Sequence, residues 1–107
     1  MVDPFEGREK AAENKFSHDI ELNFKINARA HKLLGLWAAA HMAMNEADAK
    51  EYAMEIVDVD FNAGGDGNVI DRVYADLQRY GSTLDKEDIG EELVHCLDVA
   101  RHQIYNL

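Results

Sequence analysis

The chain has 107 residues and a formal net charge of −10 at pH 7, and 47% of its residues are apolar. This length suits one domain with a modest hydrophobic core. The sequence has no apolar run of about 18 residues and no basic-then-apolar leader, which argues against a transmembrane span and a signal peptide. The single cysteine, Cys96, excludes an internal disulfide and fits a reducing compartment. We therefore expect a cytoplasmic protein without direct membrane insertion.

The net charge is unevenly distributed along the sequence. Residues 1–32 contain six basic and six acidic side chains, whereas residues 33–107 contain five basic and fifteen acidic ones. The acidic second part repels polyanions, which argues against a role in binding nucleic acid or anionic membranes. The neutral first part, with charges of both signs, is suited to a specific protein surface.

The first predicted element is a long helix from Phe5 to Ala40, a stretch without proline. Its first half is dominated by charged and polar side chains and has too little apolar surface to offset the entropy of ordering. We therefore predict that residues 1–16 form a mobile arm, which becomes helical on a partner, and that residues 17–107 form the folded domain. The side chains expected to pack from this helix and its end are Phe16, Ile20, Leu22, Phe24, Ile26, His31, Leu33, Leu34, Trp37, Ala38 and Met44.

Three shorter helices are predicted to follow. Asn45 is a suitable N-cap for the second helix, Asp66 or Asn68 starts the third, and Asp85 caps the fourth. Gly81 is placed to end the third helix. The inward-facing residues are predicted to be Ala49, Tyr52, Ala53, Ile56, Val57 and Phe61, then Val69, Ile70, Val73, Leu77 and Tyr80, then Ile89, Leu93, Cys96, Leu97, Ala100 and Ile104. With no strand pattern, the sequence predicts an all-α fold, a small antiparallel four-helix bundle with a mobile N-terminal arm.

One glycine within the first helix is informative about packing. Gly35 lies in the middle of the helical pattern, where glycine weakens a helix by roughly 1 kcal/mol relative to alanine. The simplest reason for this glycine is the close approach of a neighbouring helix.

The sequence offers little for nucleophilic catalysis. Its only hydroxyl residues of the Ser/Thr type are Ser17, Ser82 and Thr83, and capping or linker positions explain all three. Cys96 lies on the inward stripe of the last helix, and adjacent His95 points in a different direction. We therefore predict no catalytic residue and no enzyme activity.

Two patterns in the sequence resemble parts of metal sites. Glu92-x-x-His95 matches half of a di-iron motif, which needs a second such element and two further carboxylates. The acidic loop from Asp58 to Asp71 fails as a calcium loop in both possible registers. If the loop starts at Asp58, the required glycine and final carboxylate are missing; if it starts at Asp60, Gly64 offers no side-chain ligand and Gly67 replaces an apolar residue. The loop is therefore interpreted as a helix–helix turn, with a weak metal or nucleotide contact as a remote alternative. We predict no metal ligand and no cofactor.

The histidines leave one alternative open. Histidine titrates near physiological pH, so His18 and His31 on the first helix are candidates for a pH switch. The simpler alternative is that they are ordinary buried or surface histidines.

The residues of the first helix carry a family resemblance. The pattern begins Phe5-x-x-Arg8-Glu9-Lys10-Ala11-x-Glu13-x-Lys15-Phe16 and continues through His18-Asp19-x-Glu21-Leu22-x-Phe24-Lys25. It ends in Ala28-Arg29-x-x-Lys32-Leu33-Leu34-Gly35-Leu36-Trp37-Ala38-Ala39. It resembles the zeta subunit of the F-type ATP synthase of alpha-proteobacteria, a family of small inhibitor proteins. The similarity continues more loosely towards the end of the chain.

The resemblance implies that the protein inhibits ATP hydrolysis by the catalytic head of the ATP synthase. In that family the N-terminal segment enters an interface between an alpha and a beta subunit and reaches towards the gamma subunit, so the protein is peripheral at the inner membrane. The implied inhibitory segment consists of Phe5, Glu6, Arg8, Glu9, Lys10, Ala11, Glu13, Lys15 and Phe16. The alternative is a helical adaptor subunit without inhibitory effect, with weak ADP or ATP binding as a further option.

Overall fold

The computed structural model describes residues 4–105, and within them the side chains of residues 18–62 and 64–105. Over this part the chain forms α1 (Pro4–His41), α2 (Glu46–Ala63), α3 (Asp66–Tyr80) and α4 (Lys86–Tyr105), and it has no strand. The prediction of an all-α four-helix bundle is confirmed. The predicted mobility of residues 1–16 concerns a segment that lies outside the residues whose side chains are described.

The core of the bundle is built around the second half of α1, which packs against each of the other three helices. The side chains that α1 buries are Ile26, Ala30, His31, Leu34, Ala38 and Ala39. α3 adds Val69, Val73 and Leu77, and α4 adds Ile89, Leu93, Cys96 and Ala100. The predicted inward stripe of α4 is therefore confirmed at these four residues.

The prediction that Ile20 and Phe24 pack in the core is wrong, because their exposed fractions are 54% and 60%. The reason is helix length. α1 has 38 residues and spans about 57 Å, whereas α2 and α4, with 18 and 20 residues, span only about 27 and 30 Å. Neighbouring helices of that length cover the second half of α1, so its apolar stripe continues past the end of the core.

Two predicted core aromatic residues are also exposed. Phe61 is 74% exposed and Tyr80 is 56% exposed. Each lies in the last turn of its helix. In α2, Val59 packs against the core, so Phe61, two residues further along the helix, points away from it. In α3 the last buried side chain is Leu77, one turn before Tyr80.

The predicted helix ends are confirmed by their hydrogen bonds. The Asp48 backbone N–H donates to Asn45 Oδ1 at 2.8 Å, which caps α2. Before α4, Asp88 N–H donates to Asp85 Oδ1 at 2.9 Å and Asp85 N–H donates to Asp88 Oδ2 at 3.1 Å, a reciprocal capping pair. Gly81, with φ of 100°, ends α3 in the left-handed conformation that glycine tolerates best.

The predicted close approach at Gly35 is also confirmed. A Cβ atom added to Gly35 would lie 2.7 Å from Ala53 Cα, which is main chain of α2 and cannot swing aside. Glycine at this position therefore sets how closely α1 and α2 pack.

None of the four described helices is both long enough and apolar enough to span a membrane.

Candidate functional site

The predicted inhibitory segment, Phe5–Phe16, belongs to the first half of α1, and its side chains lie outside the described part of the structure. The described surface begins immediately beyond it, at His18. There, Ile20 and Phe24 expose more than half of their side chains to solvent. Lys25 and Glu21 beside them form an exposed ion pair at 3.2 Å, one helical turn apart. An apolar surface with a mixed-charge border thus lies between the segment and the body.

This apolar surface extends onto the bundle. Phe24 lines a shallow groove with Ala28 of α1, Met54 and Val57 of α2, and Ile104 of α4. Met54 is itself 54% exposed. Because three helices contribute to it, the groove is a property of the fold, and sequence periodicity alone did not reveal it. Large exposed apolar side chains that lie together are typical of a protein-binding surface.

A second polar arrangement joins α1 to the last turn of α2 and the first residue of α3, the two ends of the α2–α3 turn. His31 is only 1% exposed, and its two ring nitrogens face two carboxylates. Nε2 lies 3.0 Å from Asp66 Oδ1, and Nδ1 lies 3.4 Å from Asp60 Oδ2. The first pair is a hydrogen bond, whereas Nδ1 is buried without a hydrogen-bond partner. Although 3.4 Å is within ion-pair range, it exceeds the usual 2.7–3.2 Å or so of an N–H···O bond.

A third arrangement centres on Asp76 of α3. Asp76 Oδ2 accepts hydrogen bonds at 2.8 Å from both the Tyr52 hydroxyl and Arg72 Nε, and Asp76 Oδ1 accepts one from Arg79. Burial and the Asp76 carboxylate raise the pKa of Tyr52, and the hydrogen bond to Asp76 raises the pKa of Arg72. Arg72 also pairs with Glu55 at 3.1 Å.

This network bears on the alternative of a nucleotide contact. Arg72 and Arg79 line a surface groove at this end of the bundle together with Tyr52 and Met44. Both guanidinium groups are paired with Asp76, and Arg72 is also paired with Glu55, so the two carboxylates compensate the two positive charges within the protein. The network fastens α2 to α3, and it does not favour a phosphate site in this groove.

Cys96 lies in the core, as predicted, and is a free cysteine. Burial, followed by the Glu92 carboxylate, raises the pKa of the Cys96 thiol to about 12. The thiol lies 3.7 Å from Glu92 Oε1, while His95 is exposed on another face of α4. A thiol that stays protonated at neutral pH is a poor nucleophile, which agrees with a structural role.

Among the residues whose side chains are described, no further ligands complete the half-motif Glu92-x-x-His95. In the part of the chain whose side chains are described, the histidine and acidic residues close enough to share an ion are His31, Asp60 and Asp66. In the sequence, His31 lies 29 residues before Asp60, so the two form no local motif. Only the fold brings them together.

These features define the class of protein to which the chain belongs. It is a small all-α protein whose first helix continues beyond its core with an exposed apolar surface. A family model described as ATPase inhibitor subunit zeta matches residues 1–103, and the chain therefore belongs to this family. Its description as an inhibitor subunit points to a non-catalytic role and to association with the ATP synthase. A comparison with individual curated proteins found no match.

Proposed function

We propose that the protein inhibits ATP hydrolysis by inserting residues 5–16 into an interface between an alpha and a beta subunit of the ATP synthase catalytic head. The segment reaches towards the gamma subunit, and the helical bundle stays outside as a stop. Rotation in the hydrolytic direction closes the interface on the segment, whereas rotation in the synthetic direction opens it and releases the segment.

The observation that carries this proposal is the extent of the family match. It begins at residue 1 and ends at residue 103, so it includes the segment as well as the bundle. The sequence of the segment adds a physical reason, since its mixed charges and two phenylalanines, Phe5 and Phe16, suit folding against a protein cleft.

The fold supports the proposal through the continuity of α1. A helix that begins at Pro4 and whose second half is fixed in the core connects the segment directly to the bundle. The exposed Ile20 and Phe24 lie between these two parts and extend the proposed contact surface from the segment towards the body.

Removal of residues 1–16 tests the proposal. The full chain and the shortened chain are added to the matching purified catalytic head, and ATP hydrolysis is measured over a range of concentrations. We expect the full chain to inhibit and the shortened chain to lose inhibition, because the bundle alone cannot enter the interface. Circular dichroism of the shortened chain serves as the control for folding.

The outcomes separate this mechanism from the adaptor alternative. Equal inhibition by both chains would place the inhibitory contact on the bundle and contradict the proposed role of the segment. Binding of the full chain without any inhibition would support a helical adaptor. Failure of both chains to bind the catalytic head would contradict the proposed partner.

A further inference from the structure

The buried histidine between α1 and the α2–α3 turn has an unusual electrostatic environment. An ionised carboxylate only accepts hydrogen bonds, so the bond between His31 Nε2 and Asp66 Oδ1 places a proton on Nε2. In the neutral ring, this fixes the tautomer in which Nδ1 carries a lone pair. That lone pair is buried and has no hydrogen-bond partner.

The atom that faces this lone pair is a carboxylate oxygen, which is also a hydrogen-bond acceptor. Asp60 Oδ2 lies 3.4 Å from Nδ1. The orientation of this carboxylate is supported from the other side, because Gly65 N–H donates to Asp60 Oδ1 at 3.2 Å. Two acceptors held face to face in a buried place are unfavourable unless a cation lies between them.

The distance between these atoms suits coordination to a metal. Two ligands at about 2.0–2.2 Å from a tetrahedral Zn²⁺ ion lie roughly 3.3–3.6 Å apart. The observed separation of 3.4 Å between Nδ1 and Oδ2 falls within this range. Donor atoms from all three residues, His31, Asp60 and Asp66, lie within 4.8 Å of one another.

We propose that His31 Nδ1 and Asp60 bind a divalent transition-metal ion, such as Zn²⁺. Asp66 is a positioning residue, since its hydrogen bond to Nε2 holds the ring in the tautomer that leaves Nδ1 free to coordinate. This arrangement of carboxylate, imidazole and metal is common in zinc proteins. Water completes the coordination, because the Asp60 and Asp66 side chains are 30% and 56% exposed.

The ligand chemistry distinguishes this ion from Ca²⁺ and Mg²⁺. A neutral imidazole nitrogen suits Zn²⁺ and its neighbours in the first transition row, whereas Ca²⁺ and Mg²⁺ prefer oxygen ligands throughout. The proposal revises the sequence-based expectation that the chain holds no metal. Its structural consequence is that the ion ties α1 to the α2–α3 turn.

Calorimetric titration of the metal-stripped full chain with Zn²⁺ tests the proposal. We expect one ion per chain, with Asp60→Asn causing the largest loss of affinity because it removes a direct ligand. Asp66→Asn is expected to weaken binding by about 10–100-fold, the usual effect of removing a partner of a ligating histidine. Asp98→Asn is the matched control, since Asp98 pairs with the exposed His102 at 3.6 Å.

A measurement on the unaltered chain keeps the test decisive if a variant fails to fold. Zn²⁺ should shift the Nδ1 resonance of His31 in nitrogen NMR spectra and leave those of the exposed His18, His41, His95 and His102 in place. Three results would each overturn the proposal. The first is a Zn²⁺-induced shift confined to the exposed histidines. The others are an equal loss of Zn²⁺ affinity in Asp60→Asn and Asp98→Asn, and displacement of Zn²⁺ by Mg²⁺ at similar concentration. Absence of Zn²⁺ binding would overturn it as well.

Discussion

At the scale of single residues, the surroundings of a side chain decide its chemistry more than its type does. The chain has two buried side chains of types that often serve in catalysis or metal binding, Cys96 and His31, and their environments differ. Cys96 faces the core and one carboxylate, so its proton is retained. His31 faces a carboxylate at each ring nitrogen, so a cation is favoured beside it.

The environment of Cys96 leads to a prediction about its reactivity. Because the pKa of the thiol is raised to about 12, the folded protein at pH 8 contains almost no thiolate. We expect a disulfide reagent that releases a coloured thiolate to leave the native chain unmodified while it reacts fully with the chain unfolded in urea. Glu92→Gln removes the smaller cause of the raised pKa and should increase native reactivity only slightly. Equally fast reaction of native and unfolded chains would contradict this account.

Individual residues also show what the sequence could and could not predict. The roles of Asn45, Gly35 and Cys96 depend on one helix and its near neighbours, and their predictions are confirmed. The pairing of His31 with Asp66 spans 35 residues of sequence and was not predicted. Sequence spacing carries information over a few helical turns, whereas a contact between three elements depends on the whole fold.

At the scale of helices, packing distance is set by small residues at crossing points. Gly35→Ala would place a Cβ atom 2.7 Å from the Ala53 main chain and push α1 away from α2. Overpacking of this kind costs about 1–3 kcal/mol, and the better helix propensity of alanine offsets up to about 1 kcal/mol of it. We expect a lower free energy of unfolding, measured by urea denaturation.

Gly90→Ala in α4 is the control for this prediction. A Cβ atom at Gly90 would meet only the Ile70 Cδ1 atom, at 3.9 Å, which is an ordinary contact. This variant should gain roughly 0.5–1 kcal/mol from helix propensity alone. If both Gly35→Ala and Gly90→Ala raised the free energy of unfolding, α1 and α2 would be able to move apart at no cost. That result would contradict the close packing at Gly35.

Helices also show why the predicted core extended too far. The spacing of apolar residues along α1 correctly predicted which face of the helix packs in the core, and the buried residues Ile26, Ala30 and Leu34 lie on that face. The period carries no information about how far a neighbouring helix reaches. Ile20 continues the pattern beyond the part of α1 that α2 and α4 cover, and Phe24 lies at its edge, beside Met54 and Val57 of α2 and Ile104 of α4. Tyr80 likewise follows Leu77, the last buried residue of α3, whereas Phe61 lies on a different face of α2 from the packed Val59.

At the scale of the whole molecule, the net charge is confined to the part of the chain that follows residue 32. The net charge of −10 arises from residues 33–107, while residues 1–32 are neutral. An acidic bundle and a neutral first helix with exposed apolar side chains favour contact through the helix. This division was readable from the sequence, but the exposed surface beyond residue 16 became visible only in the fold.

The exposed surface around Ile20 and Phe24 leads to a further prediction. It tests whether the contact with the catalytic head is limited to residues 5–16 or continues along α1. Ile20→Ala and Phe24→Ala should leave the fold intact, because both side chains are more than half exposed. If they contact the catalytic head, each should weaken inhibition of ATP hydrolysis by about fivefold or more, the effect of losing over 1 kcal/mol at an interface. Val94→Ala, which truncates a 67% exposed side chain on α4, is the matched control and should leave inhibition unchanged. Full inhibition by the two α1 variants would confine the contact to the N-terminal segment, whereas a loss matched by Val94→Ala would mean that the whole bundle surface takes part.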